Sequence, residues 1–335
     1  MVQMPPSRRK MTANKQSIDN FPFISIIIPV LNGEKHIQLC LDSLFRILYP
    51  KEKYEVIVVD NGSTDDTLTI AKNYGVKIFQ IPDVTIAALR NCGAFNAKGG
   101  ILAFVDSDCV VDEKWLNNAV ECFRLSADNE IGMVGSLVRC PQNCNWVGKA
   151  WDICYEKRSL KGMTDRLGAA NMLIKREHFE RIQGFNENLV TGEDDDLCFR
   201  LRKSGYKIYS DPSITVYHLG ENKSLFEFFS KEVWRGYESF RLFVKNKGKM
   251  NFKITAYALL NLFLIIGIMI SLTIFVFYEK GYMAIITFVA LILVLPIFLA
   301  IKAVIYSKKW KYIFPFFVLY LTLGIARACA VLRFK

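Results

Sequence analysis

Ile101-Leu102-Ala103-Phe104-Val105-Asp106-Ser107-Asp108 is the stretch that decides how this chain is read. Five apolar residues run without interruption into two carboxylates one residue apart. A continuous apolar run of this length predicts a strand buried on both faces. The two acids at its end repel one another and lose hydration, so a fold keeps them where a divalent cation or a ligand offsets the charge. Oxygen donors of this kind suit Mg²⁺ or Mn²⁺, which stay partly hydrated and also bind phosphate oxygens. Asp and Ser are equally ordinary turn residues, and these eight residues alone leave a solvated turn open.

Upstream the pattern repeats. Ile24–Val30 and Tyr54–Val59 are apolar, strand-like runs, and Val76–Gln80 is a shorter one. Helical spacing over Glu34–Leu48, Asp65–Asn73 and Val84–Ala97 lies between them. Strands alternating with helices predict an α/β fold, a Rossmann-like, mostly parallel sheet flanked by helices. Ligands bind beyond the carboxyl ends of strands in such sheets. Asp60, Asp106 and the segment from Pro29 to Asn32 all fall there. No Gly-x-Gly-x-x-Gly turn and no Gly-Lys-Ser/Thr loop occurs, so the usual backbone cradles for phosphate are missing. A diphosphate bound here needs a cation, and Asp106-Ser107-Asp108 offers one a place. Downstream, Gly168–Ile174 reads as a strand and Glu193–Ser204 as a helix, while residues 139–168 show no clear period.

The C-terminal third is of another kind. Apolar stretches at about 254–278, 281–306 and 312–332 predict two or three membrane helices. Arg327 interrupts the third, which reads as a span with Arg327 facing protein or the headgroups, or as a re-entrant segment. Residues 245–335 hold 12 Lys and Arg against a single acid, Glu279, and so account for the whole net charge of +11. The rest of the chain is neutral, which argues against a nucleic-acid partner. Lys245, Lys247, Lys249 and Lys253 precede the first span, and Lys308, Lys309 and Lys311 follow the second. The positive-inside rule then puts residues 1–250 on the cytoplasmic face of a multi-pass membrane protein. Residues 224–244 carry Phe226, Phe229, Val233, Trp234, Tyr237, Phe240 and Phe243 at helical spacing, expected to lie on lipid. Residues 1–22 read as a flexible tail without a signal peptide. Nine irregularly spaced cysteines suit a reducing compartment, with Cys140, Cys144 and Cys154 either incidental thiols or an incomplete zinc set.

The chain resembles glycosyltransferase family 2, whose members have the GT-A fold. The matching segments are Ser25–Asn32, Val58–Thr67, Arg90-Asn91-Cys92-Gly93, Asp106-Ser107-Asp108 and Gly192–Leu197. The resemblance implies a nucleotide-diphospho-sugar donor, with Asp60, Pro29 and Asn32 around its base and Arg90 reaching the base or phosphates. It implies Asp106 on the ribose, Asp108 on a divalent metal (Mg²⁺ or Mn²⁺) with His218 completing the site, and Asp194 as catalytic base. The acidic run 193–196 also suits a helix N-terminus through capping and dipole alone, and His218 also suits an ordinary strand end. Asp65 is expected to cap the helix that follows it.

Processive family members carry Gln-x-x-Arg-Trp after the base. Here Val233-Trp234-Arg235-Gly236 reverses the pair and lacks the Gln, so transfer of a single sugar is expected. The acceptor is expected to be a lipid-linked saccharide at the membrane, with Glu193, Trp234 and Arg235 on its side. Direct transfer to a polyprenyl phosphate is the alternative, and a non-catalytic nucleotide-sugar-binding subunit is the reading from another class. The expected domains are 23–222 for the transferase, 223–250 for an interface helix and 251–335 for the membrane part.

Overall fold

The computed structural model describes residues 20–125, 130–155, 161–220, 224–245, 247–248, 251–278 and 281–333. Most of the expected tail, and Lys249, Glu279, Lys280 and Lys335, lie outside them. The chain forms two compact units. The first takes everything up to Val138 together with Lys161–Asn188 and Glu193–Leu219; the second takes Arg139–Leu160, Leu189–Gly192 and Gly220–Lys335. The expected boundary near 222 is close to one of these junctions. Arg139–Leu160 falls in the second of these units.

The first unit is built on an eight-stranded sheet. Its strands are β1 (Ile24–Val30), β2 (Tyr54–Asp60), β3 (Lys77–Gln80), β4 (Ile101–Phe104), β6 (Ile131–Gly135), β7 (Gly162–Thr164), β8 (Met172–Lys175) and β9 (Lys207–Ser210). They lie in the order β3-β2-β1-β4-β8-β6-β9-β7. The run β3-β2-β1-β4 is parallel, and β8 is antiparallel to both its neighbours. β1 is buried at all seven positions, which is why its sequence is apolar apart from Ser25. Its side chains alternate between two layers. Ile24, Ile26 and Ile28 pack with α1 (Ile37–Phe45) and with Trp115 of α4 (Trp115–Arg124). Ile27 joins Ile57 and Val59 under α3 (Ile86–Phe95).

Two positions fix how α3 and the strand ends meet. A Cβ on Gly93 would lie 2.5 Å from Ile27 Cγ2 and 3.1 Å from Val59 Cγ2, so only glycine lets α3 press onto the sheet. Pro29 sits past the last β1–β4 pair, Ile27 with Phe104, where its missing N–H breaks no existing pairing. A separate two-stranded sheet pairs β5 (Cys109–Val111) antiparallel with β10 (Val216–His218), and its register sets His218 opposite Cys109.

The second unit is helical: α5 (Trp146–Tyr155), α8 (Leu225–Lys245), α9 (Phe252–Tyr278), α10 (Tyr282–Ser307) and α11 (Ile313–Leu332). Three apolar helices, Phe252–Tyr278, Tyr282–Ser307 and Trp310–Leu332, are 27, 26 and 23 residues long. At about 1.5 Å per residue each is long enough to cross the roughly 30 Å of bilayer hydrocarbon. The third, open in sequence between a span and a re-entrant segment, is a single unbroken helix from Ile313 onward.

α8 crosses α11 closely. A Cβ on Gly236 would lie 2.7 Å from Ala330 Cβ, and Ala326 and Ala330 are wholly buried, the small residues such a crossing requires. The buried face of α8 is Phe228, Glu232, Val233, Gly236, Glu238 and Leu242. The expected aromatic stripe is therefore mostly not the packed one, and Phe226 and Trp234 are exposed, as a helix lying on lipid would leave them. Arg327 faces protein. Its Nη2 donates to Glu232 Oε2 at 2.6 Å, and Glu232 also accepts from Arg235 at 2.7 Å.

Cys140 and Cys144 form a disulfide, with Cα atoms 6.2 Å apart. This departs from the expectation of reduced thiols or a zinc set.

Arg327→Leu leaves Glu232 buried with only Arg235 beside it. Removing one partner of a buried pair costs about 3–5 kcal/mol, so this variant should melt well below the parent in detergent. Arg327→Leu with Glu232→Leu should recover most of the loss.

Candidate active site

Asp60 ends β2 and is wholly buried. Its Oδ2 accepts from the backbone N–H groups of Gly62 and Ser63 at 3.0 and 2.9 Å. Its Oδ1 is buried with no hydrogen-bond partner among the described residues. A buried acceptor left unpaired is costly unless something fills it. Pro29 is buried beside it, in register with Val59. Asn32 has φ 49° and is used locally. Its N–H donates to Ser63 Oγ at 2.8 Å and its Oδ1 accepts from Thr64 N–H at 2.9 Å. Asn32 thus clasps the loop after β1 to the loop after β2. Asp65 reinforces the clasp by accepting from the N–H groups of Glu34 and of Thr67, the first residue of α2 (Thr67–Lys72).

Arg90, expected to reach the base or phosphates of a donor, is engaged within the protein. It is buried in α3 and both its terminal nitrogens are taken within the protein: Nη2 donates to Asp106 Oδ1 at 2.7 Å and Nη1 to Glu193 Oε1 at 2.5 Å. Glu193, expected on the acceptor side, is buried for the same reason. Asn91 does more than pack. It brackets Phe185, accepting from its N–H and donating to its carbonyl, each at 2.9 Å, and donates to Glu187 at 2.7 Å.

The acidic run opens α7 (Glu193–Lys203), the helix that follows α6 (Arg176–Arg181). Three of its four carboxylates have cationic partners: Glu193 with Arg90, Asp195 with Arg166 at 3.3 Å and Asp196 with Arg200 at 2.7 Å. Asp194 has none within ion-pair distance among the described residues. Burial, with Glu193 and Asp195 on either side, pushes its carboxyl up to about 7; Arg90 pulls the other way. Gly168 faces it, at 3.7 Å from Asp194 Oδ2 to where a Cβ would stand.

At the strand end, His218 Nε2 lies 3.4 Å from Asp108 Oδ1, and Leu219 N–H donates to Asp108 carbonyl at 2.7 Å. Asp108, Cys109 and His218 bring one ligand atom each within 4.8 Å of one another. Among the described residues this is the one group of three or more potential ligands that converges so. His218 Nδ1 is buried with no hydrogen-bond partner among the described residues. Cys109 has no strong signal in the sequence beyond following Asp108 at the start of β5, and it joins the candidate site only through the fold. It is wholly buried, and burial together with Asp106 and Asp108 pushes its thiol up. A soft, protonated sulfur suits Mg²⁺ or Mn²⁺ poorly, whereas a carboxylate and an imidazole, both part-exposed, fit Mn²⁺ well. Trp234 and Arg235, expected near the acceptor, lie on α8 of the second unit, with Arg235 turned to Glu232.

Residues 25–186 match the family model for glycosyl transferase family 2. Those residues are a glycosyl transferase family 2 domain. Residues 155–221 also match a model described as the N-terminal domain of galactosyltransferase. Glycosyltransferase AglE of Haloferax volcanii is 31% identical over 196 residues, which cover 56% of this chain and 64% of that one. The dolichyl N-acetyl-alpha-D-glucosaminyl phosphate 3-beta-D-2,3-diacetamido-2,3-dideoxy-beta-D-glucuronosyltransferase of Methanococcus voltae is 27% identical over 220 residues, 57% of this chain and 65% of that one. The chain spans just under two thirds of the length of both relatives. The mannosyltransferase PcManGT of Pyrobaculum calidifontis, solved with GDP-Man and Mn²⁺, has the same fold: TM-score 0.62, 18% identity, 94% of this chain and 88% of that chain covered. The family 2 domain here thus sits in a GT-A fold, as its sheet order already indicates.

Titration with Mn²⁺ followed by electron paramagnetic resonance checks the metal set. Asp108→Asn and His218→Ala should each weaken binding at least about tenfold, while Cys109→Ser should not.

Proposed function

We propose that this protein is a membrane-anchored, divalent-metal-dependent, inverting glycosyltransferase. It moves one sugar from a nucleotide-diphospho-sugar to an acceptor held at the membrane, a lipid-linked saccharide. One observation carries the reading: of four consecutive carboxylates, Asp194 alone among the described residues lacks a cationic partner, and its surroundings raise its proton affinity. A structural acidic cap would be best served by neutralising all four. A general base needs one left open, with a pKa near the working pH.

The chemistry follows from the parts. An acceptor hydroxyl oxygen forms a bond to the anomeric carbon as the bond from that carbon to the diphosphate oxygen breaks, and the hydroxyl proton passes to an Asp194 carboxylate oxygen. In-line displacement inverts the anomeric centre. Asp60 Oδ1 takes an N–H of the donor's base, and Asp106, held by Arg90, takes the ribose hydroxyls. Asp108 and His218 would hold the cation, which offsets charge growing on the departing diphosphate. The dolichyl-phosphate-linked substrate named for the Methanococcus voltae relative and the three apolar helices support a lipid-linked acceptor. Lys245, Lys253, Lys308, Lys309 and Lys311 at the helix ends support a cytoplasmic site.

Asp194→Asn should lower kcat by about 10²- to 10⁴-fold and leave donor affinity within about twofold, measured by steady-state transfer and donor titration. Because a raised carboxyl pKa keeps the base protonated in acid, kcat should climb about tenfold per pH unit below about 7 and flatten above it. A profile that is flat from pH 5 to 8 would remove Asp194 as base. EDTA should abolish turnover and Mn²⁺ or Mg²⁺ restore it. With purified enzyme and a panel of nucleotide sugars, a lipid-linked saccharide should accept sugar and a bare polyprenyl phosphate should not.

A further inference from the structure

Arg90 is a guanidinium shut inside the first unit, its side chain 3% exposed. Burying such a charge is costly and tolerated only where acids and hydrogen bonds surround it. Here the two acids come from different places. Asp106 follows β4 and carries the donor side of the site; Glu193 is the first residue of α7 and precedes Asp194 in the chain. The guanidinium carbon also lies 5.7 Å from the centroid of Phe185, a ring that packs edge-on against Phe104 of β4 at 5.1 Å. The helix bearing Arg90 is itself closely packed: Gly93 lies against Ile27 and Val59, and Asn91 is hydrogen-bonded twice to the Phe185 backbone.

We propose that Arg90 is a positioning residue that locks the donor-side carboxylate Asp106 and the base-bearing start of α7 into one rigid piece. It touches neither substrate. Asp106 gives Oδ1 to Arg90, and its side chain is still 28% exposed, so the donor and the arginine share one carboxylate. On the other side, the Glu193 carboxylate anchors the turn from which Asp194 projects. The bridge sets the distance between where the donor is held and where the proton is taken. It also puts a cation near Asp194, which otherwise faces Glu193, Asp195 and Cys198 of its own helix.

This inference rests on the transferase reading, and its test separates the two. Hydrogen exchange of the full chain in nanodiscs needs no substrate. In Arg90→Met, protection should fall together at residues 104–109 and 193–197; a change confined to α3 overturns the proposal even if the protein is an active transferase. In kinetics, Arg90→Met should lower kcat by about 10²-fold, the cost of a displacement of about 1 Å at a reacting pair, with donor Kd changed less than about threefold. Its pH midpoint should move up, since the cation near Asp194 is gone. Glu193→Gln removes one limb and leaves the arginine in place, which guards against a variant that fails to fold. It should also lower kcat but move the midpoint down, since an acid beside Asp194 is lost. Arg90→Lys should recover part of the rate, and Arg90→Met with Glu193→Gln should be no slower than Arg90→Met alone. A matching loss of donor affinity, additive rate losses, or midpoints that do not move would each overturn the proposal. No transfer by the parent chain with any donor, alongside the paired loss of protection, would sink the transferase reading and leave the bridge standing.

Discussion

Four consecutive carboxylates open α7, and the fold can hold them there because arginines neutralise three. Arg90 arrives from α3, Arg166 from the segment before β8, and Arg200 from one turn along α7 itself. Each pairing ties down a different neighbour. Arg200 also donates to the carbonyls of Ile182 and Gly184, so the turn before the acidic run is fixed by the same helix. The charge problem and the positional problem are solved by one set of contacts, and the remaining acid is left at a defined place in partial isolation. Arginine serves here because its fork can address two acceptors at once.

The strand-end carboxylates are legible in the sequence because each follows an apolar run, and such runs alternating with helical segments place the acids at the carboxyl ends of parallel strands. Asp60, Asp106 and Asp108 sit where such runs place them. What the sequence does not disclose is the partners. Arg90 and Glu193 are 103 residues apart, and nothing local distinguishes an arginine that meets a ligand from one that meets two acids. β5 and β10 escape for another reason: three residues are too few to show a period, so the sheet that brings His218 to Asp108 leaves no trace in hydrophobic pattern. The family resemblance supplies His218 where the pattern does not.

The second unit shows the same limit. Three apolar stretches announce themselves by length, but the face on which α8 packs does not follow from its aromatic content. Aromatics at helical spacing look like a core stripe. The packed face is narrower and built round Gly236 and a buried acid, because close approach to Ala326 and Ala330 matters more there than side-chain volume. Arg327, a disruption by hydropathy alone, is the counterpart that acid needs. Segment 139–160 falls with the transferase by position in the chain and joins the helical unit by contact, with Arg139 paired to Asp152 of α5 at 3.0 Å.

Pro29 has a consequence that extends past its own burial. Val105 N–H donates to the Ile27 carbonyl, so the next rung of the parallel ladder would run from residue 29 to the Val105 carbonyl. A proline has no hydrogen to give. Pairing therefore stops one residue before Asp106, and the two central strands cannot zip further however favourable their side chains. The ring works as an end-stop. It keeps a gap open at the top of the sheet, in which a carboxylate can turn away from its neighbour strand.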